Sequence, residues 1–250
     1  MHITEAAKAY HERMCPGHTS ELLATDPEFI ERFDNFAFDE VIARSRLDAK
    51  TRLLAILATL LGCQGIDEFR AVVPAALEMG VTPVEVKETV YQATVYLGIW
   101  RVFPFLKATN EIFTARGIAL PLQGQATTTT ENRLEGGERA QIDIFGEGMR
   151  GFANSGAEET RHINKWLVDN CFGDYYTRTG LDLRQREMIT FCFLSAQGGC
   201  EPQLTSHAKA NLRIGNDKAF LIDVVSQCLP YIGYPRSLNA LRCVEEAAKA

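Results

Sequence analysis

The chain has 250 residues, of which 46% are hydrophobic and 23% are charged, as is usual for globular proteins. A net charge of −6 and a pI near 5.5 argue against nucleic acid and anionic membranes as partners. No apolar run has membrane-spanning length and no secretory signal is apparent, so a cytoplasmic location is the default expectation.

Glycine, proline and capping residues divide the first half of the chain into helices. Asp48 can cap a nearly apolar helix that ends at Gly62. Thr82, followed by Pro83 and Glu85, marks another helix start. The helices predicted for this half are 50–61, 66–79, 83–97 and 99–115, with one or two more within 21–45.

The clearest break in the chain is the polar segment 121–137, which contains a run of four threonines and has glycines at its ends. We interpret it as a linker between a first module, 1–120, and a second module, 138–250.

The second half repeats the same plan. Asp182 can cap an apolar helix that Gly198 and Gly199 break, and the next helix begins near Pro202 and stops at Gly215. The helices predicted for this half are 186–194, 202–214, 216–229 and one after a kink at 230–235, with one or two more within 140–178.

Residues 75–111 align without a gap with residues 210–246 at a constant offset of 135, with ten identities in 37 positions. The chain therefore reads as two copies of one helical module, and the predicted fold class is all-α. The first helix of each core is apolar nearly all round, so part of its burial must come from the other module or another chain.

Seven cysteines are spaced irregularly, and none forms a Cys-x-x-Cys pair with another. In a reducing compartment most of them should be buried thiols rather than disulfides. No group of cysteine and histidine has zinc spacing, so no metal site is predicted.

Cys200 and His207 are candidates for chemistry. Pro202 places Cys200 at a helix N-terminus, where free N–H groups and the positive helix end favour a thiolate. His207 follows about two turns later on roughly the same face and could serve as its base. The alternative is a buried thiol with a histidine that only packs.

Glu187 lies on an apolar helix, where a carboxylate must be exposed, paired with an arginine or kept for function. Its structural alternative is an ion pair with Arg184 or Arg186. On a straight helix Glu187 would lie about 15 Å from the following turn. It could then meet His207 only if the next helix folds back, and it would not reach Cys200.

The same offset places Arg52 opposite Glu187, Val72 opposite His207 and Gly65 opposite Cys200, so only the second module carries the candidate site. The first module can supply apolar walls, with Tyr91, Tyr96, Trp100 and Phe103 as candidates. Tyr231 repeats Tyr96. A tyrosine here could donate a hydrogen bond into a pocket, but its presence in both copies favours a structural role.

These motifs resemble the carboxymuconolactone decarboxylase family, which includes the alkylhydroperoxidase D-like proteins. The second module matches through Arg186-Glu187, Cys200-x-x-x-x-x-x-His207, Gly215 and Tyr231-x-Gly233-x-Pro235. The first module matches through Thr51-Arg52, Ala75-Ala76-Leu77-Glu78-Met79-Gly80-Val81-Thr82 and Tyr96-x-Gly98.

The resemblance implies helical modules that assemble as trimers or hexamers with sites near module interfaces, so a homotrimer of tandem chains is predicted. Peroxidase-type members use a glutamate, a Cys-x-x-Cys pair and a histidine, which match Glu187, Cys200 and His207. Gln203 stands at the second cysteine, so the resolving thiol is missing. Decarboxylase-type members lack the cysteine pair, act on a lactone acid and need no cofactor.

The leading hypothesis is a cofactor-independent decarboxylase-type enzyme for a small carboxylated lactone or related organic acid. His207 would be the general acid or base, and Glu187 would orient it or exchange protons. Arg184 or Arg186 would bind a substrate carboxylate, and Cys200 would be a polar wall or an accessory acid. The remaining predicted substrate-binding residues are Gln203, Tyr231, Tyr96 and Trp100. The alternatives are a thiol-dependent peroxidase that uses Cys200 and a non-catalytic assembly protein.

Overall fold

The computed structural model describes residues 2–17 and 19–249, and every regular element within them is helical. The all-α prediction is confirmed. The α-helices are α1 (Glu5–Met14), α2 (Pro27–Asn35), α3 (Val41–Arg44), α4 (Ala49–Cys63), α5 (Ile66–Glu78), α6 (Pro83–Leu97), α7 (Ile99–Ala115), α8 (Arg133–Phe145), α9 (Arg161–Trp166), α10 (Leu183–Gln197), α11 (Glu201–Arg213) and α12 (Lys218–Ala247). The π-helical segments Phe36–Glu40 and Leu167–Tyr176 directly follow α2 and α9. In this part of the chain no helix combines the length and apolarity needed to cross a membrane.

Most helix boundaries follow the signals in the sequence. The side chains of Asp48, Thr82 and Asp182 accept backbone N–H groups in the first turns of α4, α6 and α10, which confirms these predicted starts. One predicted end is wrong, because α4 continues through Gly62 and ends where Gln64 adopts the left-handed conformation, with φ of 63°.

Close packing against α10, rather than the end of a helix, requires glycine at position 62. A Cβ atom on this residue would lie 2.6 Å from the Cβ of Ala196 and 2.8 Å from the carbonyl oxygen of Phe193, both on α10. Helices α4 and α10 therefore meet closely at the centre of the molecule. One cluster of buried apolar side chains includes residues of both modules. Of the two sources of burial that the sequence left open, the other module and another chain, the other module therefore contributes.

The linker between the modules is shorter than the segment 121–137 predicted from the sequence. Residues 133–137 form the first turn of α8, and Gly137 lets α8 approach the second π-helical segment, since a Cβ there would lie 1.9 Å from the Val168 carbonyl oxygen. The hydroxyls of Thr127 and Thr128 donate to the carbonyl oxygens of Thr177 and Gly173, each at 2.8 Å. The threonine run is therefore fastened to the second module.

The offset between the two modules changes by one residue within the core. Helices α4 and α10 begin at residues 49 and 183, an offset of 134, whereas α5 and α11 begin at 66 and 201, an offset of 135. The turn before α11 is one residue longer than the turn before α5. The predicted pairing of Arg52 with Glu187 is therefore wrong: Arg52 corresponds to Arg186, and Leu53 corresponds to Glu187.

Candidate active site

Glu187 and His207 form a buried pair at the contact between α10 and α11. His207 Nδ1 lies 2.8 Å from Glu187 Oε2. The carboxylate is fully buried, and His207 is 8% exposed. The amide nitrogen of Asn211 donates to the backbone oxygens of Glu187, at 3.0 Å, and of His207, at 2.8 Å. Helix α11 thus folds back along α10, the only arrangement in which the sequence allowed these two residues to meet.

The pairing fixes which ring nitrogen of His207 is available for chemistry. A carboxylate only accepts hydrogen bonds, so Nδ1 carries the proton that faces Glu187 and Nε2 is left to exchange protons. Nε2 has no hydrogen-bond partner among residues 2–17 and 19–249. Glu187 Oε1 is also buried without a partner in the described structure, and such unsatisfied buried oxygens are costly.

Two aromatic rings enclose His207. Tyr96 of α6, in the first module, lies with its ring centre 5.5 Å from that of His207. Phe145, at the end of α8, lies at 5.4 Å, and both rings meet the imidazole edge to face. The structure therefore brings the predicted Tyr96 to the pair. Phe145 gave no signal in the sequence beyond an apolar position on a helix.

A chain of hydroxyls runs behind Tyr96. Its hydroxyl lies 2.7 Å from that of Tyr176, which lies 2.8 Å from the hydroxyl of Thr190. Burial raises the pKa of both tyrosines well above their ordinary values, and the carboxylate of Glu187 adds to this effect. Burial likewise raises the pKa of the Cys171 thiol to about 12. These groups therefore stay protonated and neutral beside the pair at physiological pH.

Cys200 is not part of this cluster. It precedes α11 as predicted, but its sulfur contacts the carbonyl oxygen of Leu194 at 3.5 Å and the amide of Gln197 at 3.8 Å. Seven helical residues separate it from His207 by about 10 Å along the axis. Burial raises the pKa of Cys200, so the loss of solvation works against the thiolate that the helix end was predicted to favour.

Both arginines predicted to bind substrate form hydrogen bonds within the chain. Arg186 is fully buried, and its Nη1 donates to Gln92 at 2.7 Å while Nη2 donates to Glu88 at 3.0 Å and to two backbone carbonyls. A role in binding a substrate carboxylate is therefore wrong for Arg186. Arg184 donates to Asn216 at 3.1 Å and to the carbonyl oxygen before it, which ties the start of α10 to the turn after α11.

The remaining predicted binding residues are dispersed. Trp100 is 81% exposed beside Phe103 in the single chain, so its place in an apolar lining stays a prediction. Tyr231 does not lie beside His207, as the prediction required. It packs in the equivalent region of the first module, with its ring centre 6.5 Å from that of Phe33. Gln203 is exposed on α11 one turn before His207, and its role stays a prediction.

A cleft of about 790 Å³ reaches Tyr176 and so approaches the enclosed pair. The charged side chains that line it include Glu135, Arg139 and Asp143 of α8. Within the described parts of the chain, no three histidine, cysteine or acidic residues are grouped as metal ligands. The seven cysteines are free thiols, four of them buried.

Three comparisons relate this geometry to known proteins. The model of the carboxymuconolactone decarboxylase family matches residues 27–111 and 162–246. A 4-carboxymuconolactone decarboxylase from Acinetobacter baylyi is 32% identical over 106 residues, which cover 41% of this chain and 79% of that protein. A solved structure from Burkholderia xenovorans LB400, provisionally named a gamma-carboxymuconolactone decarboxylase subunit, has a TM-score of 0.59 at 19% identity and covers 97% of this chain and 96% of its own, which shows a shared fold.

Proposed function

We propose, on the premise that this chain belongs to the carboxymuconolactone decarboxylase family, that it catalyses acid/base chemistry of the decarboxylase type. The substrate would be a small carboxylated lactone or related organic acid, and no cofactor is invoked. The observation that carries this proposal is the 2.8 Å contact between His207 Nδ1 and Glu187 Oε2. The name of the Acinetobacter relative motivates the substrate class.

In the proposed reaction, the bond from the lactone ring to its carboxylate breaks and CO₂ leaves. The electron pair passes into the conjugated lactone, and a proton from His207 Nε2 ends on carbon. Glu187 stabilises the imidazolium before this transfer, and water later restores the proton. Because the surroundings are aromatic and neutral, the negative charge of Glu187 acts on His207 with little screening.

The thiol-peroxidase alternative has no comparable support. The attacking thiol would need a base and a resolving thiol. Cys200 instead contacts a backbone carbonyl and an amide, and Gln203 stands where the second cysteine would be.

Turnover of 4-carboxymuconolactone, followed by loss of substrate and release of CO₂, tests the proposal. We expect His207→Gln to lower kcat by about 10²–10⁴ and Glu187→Gln to lower it by a similar or smaller factor. Cys200→Ser is the matched control and should stay within about twofold, since it lies outside the pair. Full activity in folded His207→Gln, or none in the unmodified protein, would exclude the proposed role.

We also propose a homotrimer. Apolar side chains are exposed at matching positions of the last helix of each module, Ile99 and Phe103 on α7 and Tyr234 and Leu238 on α12. Exposed apolar surface of this kind is typical of association faces. Sedimentation velocity at micromolar concentration checks the assembly, and a monomer there would contradict it.

A further inference from the structure

A second cavity, separate from the His207 region, lies between α6, α7 and residues 120–125, with Arg178 on its far side. Its volume is about 350 Å³. None of the residues that line it contacts His207 or Glu187 through a side chain. Its walls combine apolar side chains, such as Val84 and Leu122, with the ammonium of Lys87.

Lys87 is a buried cation without a counter-ion. The residue is only 7% exposed. Its ammonium donates to the side-chain oxygen of Asn110 and lies 5.7 Å from the ring centre of Tyr91. No carboxylate lies within 4 Å of it in the residues that the structure describes. Burial lowers the pKa of Lys87, and no acidic group opposes this shift.

The carboxylate that shares the cavity is already neutralised. Glu88 accepts from Nε of Arg178 at 3.0 Å and from its Nη2 at 2.8 Å, and it also accepts from Arg186 at 3.0 Å. Two guanidinium groups therefore face one carboxylate, and Lys87 adds a third positive charge. These three cations and one carboxylate together carry an excess of two positive charges. They lie in a partly enclosed space, where solvent screens charge poorly.

Lys50 is a structural lysine of the same module, and its partner can be compared with that of Lys87. Its ammonium lies 2.8 Å from Glu85 Oε1, at the start of α6. Lys50 itself is on α4, whereas Lys87 follows Glu85 by two residues on α6. Lys87 has the amide oxygen of Asn110 where Lys50 has a carboxylate. Since a buried charge normally has an opposite charge beside it, the missing anion is expected from outside the chain.

We propose that this cavity binds a small organic carboxylate. Lys87 supplies the charge, the amide nitrogen of Asn110 has no acceptor in the described structure and is free to donate, and Tyr91 forms an apolar wall. A cavity of 350 Å³ suits a ligand the size of a benzoate or a short dicarboxylate. The site is independent of the proposed acid/base chemistry.

Isothermal titration calorimetry with benzoate and succinate tests this site, with benzamide as the neutral analogue of benzoate. We expect saturable binding of at least one carboxylate to the unmodified protein, and about tenfold or more weaker binding to Lys87→Met, which keeps the stem and removes the charge. Lys87→Gln, a second variant without the charge, should behave alike. Benzamide should bind weakly to all of them.

Two matched controls locate the effect. Lys107→Met removes a charge from the exposed side of α7, and His207→Gln alters the candidate active site; both should bind within about twofold of the unmodified protein. The carboxylate should also raise the Tm of the unmodified protein but not that of Lys87→Met. Equal binding by Lys87→Met, loss of binding only in His207→Gln, or no binding of either carboxylate up to about 10 mM overturns the proposal.

Discussion

The His207 region of the second module and its counterpart in the first are built on the same pair of helices but differ in polarity. Helices α4 and α10 each have 15 residues, and α5 and α11 each have 13. The polar positions of the second module and their counterparts are Glu187 and Leu53, His207 and Val72, and Asn211 and Ala76. The three counterparts are buried apolar residues. The scaffold therefore forms without the polar set, which favours a functional reason for keeping it.

What the two regions share is structural. Each buries an arginine one turn into its first helix, but the partners differ: Arg52 donates to the hydroxyl of Tyr10 and the carbonyl oxygen of Leu47, each at 3.0 Å, whereas Arg186 binds the carboxylate of Glu88. The common arginine thus anchors the helix start in both modules. The residue that follows it, Leu53 or Glu187, is the first of the three positions at which the two sites differ.

The largest effect is expected when the second region is given the residues of the first. A variant with Glu187→Leu, His207→Val and Asn211→Ala should lose turnover down to the uncatalysed rate, about 10⁴-fold or more. Its free energy of unfolding should be unchanged or rise by about 1–4 kcal/mol, because a buried polar pair with an unsatisfied oxygen is replaced by apolar groups. Initial rates and urea unfolding measure the two quantities.

Asn211→Ala alone is the control for that variant. It removes one hydrogen bond from α11 to α10, one within α11 and one accepted from Asn216. The acid/base pair remains, so the variant should cost about 1–2 kcal/mol and keep measurable turnover. If the triple variant instead loses more than about 2 kcal/mol of stability, the polar set is needed for the fold and the comparison between the regions no longer points to function.

A smaller effect is expected from the two arginines. Arg186→Met leaves Glu88 buried with Arg178 as its one remaining partner, so it should lower the free energy of unfolding by about 3–5 kcal/mol. Arg52→Met loses hydrogen bonds to a hydroxyl and a carbonyl and should cost about 1–3 kcal/mol. Urea unfolding of both variants gives the comparison. Equal losses would show that the charge of the partner does not decide the cost.

Local signals in the sequence predicted the helices well because caps and breakers act within one turn. The starts at Asp48, Thr82 and Asp182 follow from side chains that accept nearby N–H groups. Gly62 was misread as a helix end and Gly137 as the end of the linker. Each is a glycine because a neighbouring helix that is distant in sequence comes close to it. The residues next to such a glycine in the sequence do not reveal that another helix packs closely against it.

The site was predictable to the extent that it depends on one pair of adjacent helices. Glu187 and His207 could be paired from helical spacing and a fold-back, and the structure brings them together. The roles of Arg186 and Trp100 could not be read in this way, since they depend on whether α6 covers the side chain or solvent does. Phe145 reaches His207 from a helix whose position no motif reveals.

The smallest effect separates the two repeated tyrosines. The hydroxyl of Tyr96 bonds to that of Tyr176, whereas that of Tyr231 has no hydrogen-bond partner in the described structure. Tyr96→Phe should therefore cost about 1 kcal/mol in thermal unfolding, and Tyr231→Phe less than about 0.5 kcal/mol. Turnover should fall by no more than about tenfold in Tyr96→Phe, because the ring against His207 remains, and it should not change in Tyr231→Phe.

The pH dependence of the turnover ratio between the unmodified protein and Tyr96→Phe distinguishes a packing role of Tyr96 from a proton-transfer role. Burial raises the pKa of Tyr96, so its hydroxyl stays protonated in neutral and mildly alkaline solution, and the ratio of turnover between the unmodified protein and Tyr96→Phe should not change there. A ratio that changes with pH in that range would make Tyr96 a proton donor rather than part of the enclosure. Conservation of a tyrosine in both modules would then no longer indicate a structural role, and the second module would differ from the first in four groups rather than three.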